Sequence, residues 1–164
     1  VRAVYSLPED FQLFMEKAEC NALSNGVRAN WNATGWRLPT EAEWELAAKG
    51  LERWSFAGSN DVDDVGWHAR NSGKQTHRVC RKRTNQYGLC DMSGNVAEWV
   101  WDRYADPVYK PQVNPKGPSI GTTRVLRGGG CRNEVRYLRI ANRAGYSPGH
   151  RYDSIGFRLV RRGD

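Results

Sequence analysis

The chain has 164 residues, 25 of them Lys or Arg and 18 Asp or Glu, for a net charge of +7. That length suits one domain with a real core, and no run of about 18 apolar residues exists to span a membrane. The basic residues are scattered, apart from Arg78 to Arg83 and the C-terminal arginines, which speaks against nucleic acid as a partner. Seventeen Gly and seven Pro point to a loop-rich body, and seven Trp supply large buried area if each indole N–H finds a partner. No signal-peptide pattern opens the chain at Val1.

In chain order, Ser6-Leu7-Pro8-Glu9 is a capping box. Phe11, Phe14, Met15, Ala18 and Ala22 follow at helical spacing, and Asn25-Gly26 is a stop. Thr40 to Glu43 is a second capping box, preceded by Pro39. Trp44, Ala47 and Ala48 give that helix an apolar face, and Gly50 suits its end. Residues 51–90 are irregular. Val96 to Trp101 and Arg124 to Arg127 are predicted as short strands, and Ile155 to Val160 as a closing strand. Asp106 to Gly121 reads as a surface connection. Two helices followed by short strands in long loops make an α+β pattern.

The four cysteines, Cys20, Cys80, Cys90 and Cys131, lack zinc-ligand spacing. Cys20 is expected as a buried thiol on the first helix. Cys80 and Cys90 flank a hairpin-like segment and can pair only if the fold brings them together. The three histidines, at 68, 77 and 150, share no spacing.

Three sets of residues carry a resemblance. They are Gly35 to Glu45 (GWRLPTEAEWE), Tyr87 to Trp99 (YGLCDMSGNVAEW), and Arg124 to Gly129 (RVLRGG) with Ile155 to Arg158 (IGFR). In this order they resemble the formylglycine-generating enzyme, or sulfatase-modifying factor, family, a variant of the C-type lectin fold. The resemblance runs over residues 35–161. It implies a single domain over residues 1–164, with two helices, short antiparallel strands and long loops. It also implies that Asp91, Gly94, Val96 and Glu98 can hold a structural calcium ion through two carboxylates and two carbonyls. The residues alone suit equally a turn capped by Asp91, with Glu98 bonded to backbone.

Enzymes of the family hold copper on two cysteines just after the RGG motif. Here Gly130 to Tyr137 contains one, Cys131, and a single thiolate cannot supply that site. The expectation is therefore no catalytic residue and no required cofactor, with Cys131 an exposed or half-buried thiol. Neither Glu-Pro-Asn nor Gln-Pro-Asp occurs, and the fold alone does not imply sugar binding.

The segment Arg127 to Arg161 is similar to the variable region of another branch, the variable proteins of diversity-generating retroelements of the Treponema type. In these, adenines of a template are miscopied into the end of the gene. The resemblance makes the altered, ligand-contacting positions Gly130, Cys131, Arg132, Asn133, Arg136, Tyr137, Ala144, Gly145, Tyr146, Ser147, Gly149, His150, Tyr152, Asp153 and Ser154. None is Lys, Glu, Gln, Met or Trp, the types a randomised AAC codon cannot yield, and no Lys follows Lys116; Glu134 departs from the pattern. Between the blocks, Leu138, Ile140, Ala141, Ile155, Phe157 and Leu159 are expected in the core. Arg139, Arg143, Arg151 and Arg158 are expected to bind loop carbonyls. Tyr and Arg with small polar residues make a paratope-like set. The resemblance thus implies a non-catalytic ligand-binding protein. Its ligand would be a protein on another cell or host, and its place the cell surface, lipid-anchored to an outer membrane. The alternatives are a formylglycine-generating-type oxidase or a degenerate structural relative of it.

Overall fold

Helix α1, Glu41–Lys49, starts where the sequence marks it. Thr40 Oγ1 accepts from the Glu43 N–H at 3.2 Å, and the Glu43 carboxylate accepts from the Thr40 N–H at 2.8 Å. Arg37 forks onto the same carboxylate with two contacts of 2.6 Å, so the turn before the helix is fixed from both sides. Gly50, in the left-handed region at φ 63°, ends the helix. This computed structural model describes residues 30–31, 35–107 and 110–161. The predicted first helix, Ser6 to Gly26 with Cys20, lies outside the described residues.

The segment expected to be irregular contains one short helix, α2, Val62–Val65, capped by the Asp61 side chain on the Asp63 N–H at 2.9 Å. Val62 and Val65 pack with Phe56 and Leu138 in a small core beneath it. The main core gathers Trp44 and Ala48 of α1 with Leu89, Met92, Val100, Val125 and Ile140.

Four strands form one sheet: β1 Ala97–Arg103, β2 Arg124–Arg127, β3 Ala144–Tyr146 and β4 Ile155–Phe157. Their order is β3-β2-β1-β4. β1 with β2 and β2 with β3 are antiparallel, but β4 runs parallel to β1, which corrects the all-antiparallel expectation. A parallel neighbour needs a long connection, and the chain between Arg103 and Ile155 supplies it. The closing strand is also shorter than predicted. After Phe157 the pairing lapses until Val160, which bridges to Arg37.

Glu98 explains why β1 is buried on successive residues. Its carboxylate accepts from Trp44 Nε1 at 2.6 Å and takes both arms of the Arg158 guanidinium at 2.6 Å. A buried carboxylate needs such pairing. This one node ties α1, β1 and the end of the chain together.

Candidate functional site

β3 and β4 both run in the direction of β1, so residues 147–154 must return along the sheet between them. That return, with residues 130–137 and strand β3 itself (Ala144, Gly145 and Tyr146), carries the predicted altered positions. Gly130 and Cys131 are buried; the other thirteen reach solvent, with Asn133, Ala144 and Ser154 partly covered. Tyr137, Tyr146 and Tyr152 expose 40%, 41% and 56% of their surface.

Several of these side chains meet. The His150 ring lies 5.9 Å from those of both Tyr146 and Tyr152. Arg132 pairs with Asp153 at 2.5 Å, joining the first block to the last. The Arg136 guanidinium stands over the Tyr137 ring at 4.8 Å, and this is the ring contact Tyr137 makes among the described residues.

The backbone beneath them is held by other groups. The Ala97 N–H donates to the Ser154 carbonyl at 2.8 Å, the Cys131 N–H to the Asn95 carbonyl at 2.8 Å, and the Ala69 N–H to the Asn133 carbonyl at 2.9 Å. Ser72 Oγ donates to the Cys131 carbonyl at 2.7 Å. Arg127, whose side chain is fully buried, donates to the carbonyls of Ile140 at 2.8 Å and Asn142 at 3.1 Å. Arg143 donates to the Ala105 carbonyl at 2.9 Å and forks onto Glu41 at 2.6 and 2.7 Å. Arg139 and Arg158 also reach carbonyls, those of Arg136 and Cys90. One of the positions predicted as altered does share in this work: Asn133 Oδ1 accepts from the Gly130 N–H at 2.8 Å.

Three sequence expectations need correction. Gly130 and Cys131 cannot face a ligand. A Cβ on Gly130 would stand 2.8 Å from the Ser154 carbonyl oxygen, and Cys131 is 1% exposed, with both its backbone groups bonded inward. Cys131 is therefore neither exposed nor half-buried, and burial pushes its thiol pKa up, away from the reactive thiolate. Ala141 is exposed rather than in the core, while Leu138 and Ile140 are buried and Ile155, Phe157 and Leu159 half-buried.

The proposed calcium residues also look different in place. Gly94 takes φ 89°, and a Cβ there would collide with the backbone of Trp67, so this turn needs glycine. Asp91 Oδ2 accepts from the Cys80 N–H at 2.7 Å, and Oδ1 is buried without a partner among the described residues. Burial raises the Asp91 pKa, and the Glu98 charge adds to the effect. Both Glu98 oxygens, however, are engaged by Arg158 and Trp44. A carboxylate neutralised by a forked guanidinium is a poor ligand for a hard cation, so Asp91, Gly94, Val96 and Glu98 do not fit calcium here. The turn reading is also amended, because Glu98 bonds two side chains rather than backbone.

Cys80 and Cys90, left open by the sequence, form a disulfide with Cα atoms 5.1 Å apart. Asp102 is a further buried carboxylate. Its carboxylate accepts from the Glu41 N–H at 2.7 Å, at the open end of α1. Burial, with the nearby Glu41 charge, still pushes its pKa up to about 6. Its place in a strand, away from any capping pattern, gave no signal.

Residues 17–163 match the sulfatase-modifying factor enzyme 1-like domain family. The chain belongs to this family. It is 36% identical over 166 residues to a formylglycine-generating enzyme of Streptomyces coelicolor, covering 84% of this chain and 52% of that protein. It is 32% identical over 155 residues to the chaperone protein LppX of Paenibacillus barcinonensis, covering 82% and 52%. Among solved structures it is similar to Treponema denticola variable protein 1, with a TM-score of 0.80 and 42% identity over 83% of this chain and 51% of that one. The chain thus spans about half the length of these relatives. An enzyme, a chaperone and a variable protein at comparable identity mean that family membership leaves the activity open, and the site must decide it.

Proposed function

We propose that this domain is a non-catalytic ligand-binding module whose contact surface is the set of solvent-facing altered positions between Arg132 and Ser154. The observation that carries this reading is the division of labour in the backbone. Framework groups hold the blocks, while the side chains of Arg132, Arg136, Tyr137, Tyr146, His150 and Tyr152 point their chemistry outward. Such a surface binds by shape: rigid aromatic rings give area, Arg gives forked hydrogen bonds, and Ser147, Gly149 and Asp153 adapt. Tyr-rich surfaces suit protein ligands, so the partner is a protein, met at a cell surface where the parent protein is lipid-anchored to an outer membrane. No helix among the described residues is long and apolar enough to cross a membrane.

The rival reading is an oxidase like the relatives named formylglycine-generating enzyme. Among the described residues Cys131 is the one free thiol, and it is buried; this argues against the oxidase, since copper chemistry on cysteine needs a second thiolate within reach.

A displayed library with the thirteen accessible positions randomised tests the proposal. Selection against a panel of unrelated purified proteins should yield binders that lose affinity at least about tenfold when one selected aromatic at 146 or 152 is cut to Ala. Failure to recover any binder, or indifference to those truncations, overturns it. In parallel, the copper-treated wild-type domain should form no aldehyde on a cysteine-bearing sulfatase-type peptide. Aldehyde formation that Cys131→Ser abolishes would establish the oxidase instead.

A further inference from the structure

Away from the altered positions, Cys80, Cys90 and Asp91 form a compact cluster. Their sulfur and carboxylate ligand atoms all lie within 4.8 Å of one another. Cys80 is exposed, whereas Cys90 and Asp91 are buried. The Cys80 N–H holds one Asp91 oxygen at 2.7 Å, which pins the carboxylate beside the sulfurs. The other oxygen is buried and has no partner among the described residues. Asp91 is 7% exposed, and leaving a carboxylate oxygen bare at that depth costs free energy unless something satisfies it. Arg158, the cation whose charge acts on Asp91, is forked onto Glu98 instead.

We propose that the Cys80–Cys90 disulfide is the closed form of a metal site. On reduction, the two thiolates and the Asp91 carboxylate bind a soft or borderline divalent cation of the zinc class. The sequence of steps balances. An external dithiol attacks the exposed Cys80 sulfur and displaces Cys90 as a thiolate; its second thiol then releases Cys80. The reductant leaves as a disulfide, and the protein gains two electrons and two protons as two thiols. Metal binding then expels those two protons. Zinc–sulfur bonds of about 2.3 Å and a zinc–oxygen bond of about 2.0 Å require ligand atoms roughly 3.5–3.8 Å apart in a tetrahedron, so once the disulfide is broken the sulfurs must part by side-chain rotation, within the 4.8 Å span of the cluster. The exposed side, at Cys80, leaves the fourth position to water. Two sulfur ligands set this site apart from calcium, which takes oxygen.

The test uses Co²⁺ as the probe on the full chain carrying Cys20→Ser and Cys131→Ser, so that only this thiol pair remains. After reduction by a phosphine and its removal, one equivalent of Co²⁺ should produce the thiolate-to-cobalt charge-transfer band and tetrahedral ligand-field bands. The oxidised protein should produce neither. Asp91→Asn, close to isosteric and able to keep the Cys80 contact, should weaken binding at least about tenfold, because even supporting residues of metal sites cost that much. Circular dichroism and urea titration of each variant establish that it is folded. Absence of the band in the reduced, folded protein overturns the proposal, as does equal Co²⁺ affinity in the Asp91→Asn variant.

Discussion

Cutting Arg127 to Ala should cost about 3–5 kcal/mol of folding stability, and the contacts show where that comes from. The side chain is wholly enclosed and touches two carboxylates, Glu45 at 2.7 Å and Glu41 at 3.2 Å. Neither carboxylate would be stranded by the change. Glu41 keeps the Arg143 fork, and Glu45 keeps Lys49 at 2.6 Å. Most of the loss therefore falls on the carbonyls of Ile140 and Asn142, which lose their donor at about 1–3 kcal/mol for each that is shut off from water. The space vacated beside the Trp44 ring, 5.1 Å from the guanidinium, adds a cavity term. At about 2–4 °C per kcal/mol for a domain of this size, Tm should fall by roughly 6–20 °C. Arg127→Lys keeps the charge, but its single ammonium replaces a planar fork, so it should lose about half as much. Urea unfolding measures both variants, and hydrogen exchange should show faster exchange at the Ile140 and Asn142 amides. A loss under about 1 kcal/mol in Arg127→Ala would refute the idea that this side chain fixes the frame beneath the exposed blocks.

Asp102 should give a pH signature. Its folded pKa of about 6 lies above the unfolded value near 3.9, so between these the folded state binds the extra proton. Its contribution to stability therefore grows as pH falls from about 6 to 4 and is lost as pH rises again. Asp102→Asn should remove on the order of 2 kcal/mol of that dependence in urea titrations run across the window; an unchanged profile would refute the assignment. Chelation by EGTA should leave Tm unchanged, whereas Glu98→Gln should lower stability by about 3 kcal/mol by weakening the buried Arg158 pair. Leu138→Ala should cost about 2–5 kcal/mol through its cavity, and Tyr146→Ala less than about 0.5 kcal/mol, as judged by chemical denaturation.

Where local chemistry decides the structure, the sequence was readable. The Thr40–Glu43 box placed α1 to the residue, and Arg124–Arg127 was legible as a strand. β3 was not legible, because Ala144-Gly145-Tyr146 carries no alternation; it is a strand because β2 pairs with it. The Glu98 partners were hidden for a different reason: Trp44 and Arg158 lie 54 and 60 residues away along the chain. Cysteine spacing likewise could not report the distance between Cys80 and Cys90, nor the depth of Cys131, which depends on Asn95 and Ser72 closing over its backbone. Tyr137, Tyr146 and Tyr152 were expected at the surface and are exposed.

The central claim is that the frame holds its shape over most side chains at the thirteen accessible positions, 133 and 145 excepted. Thermal melts of some hundred randomly drawn library members, unselected for binding, test it most directly. The account expects most to unfold cooperatively within a few degrees of the parent, with losses concentrated at position 133, where the side chain braces a turn, and at position 145, where a Cβ would press on Tyr104. If most members were unfolded, or if their Tm fell steadily with the number of substitutions, the exposed blocks would be part of the structural frame and the account would be wrong.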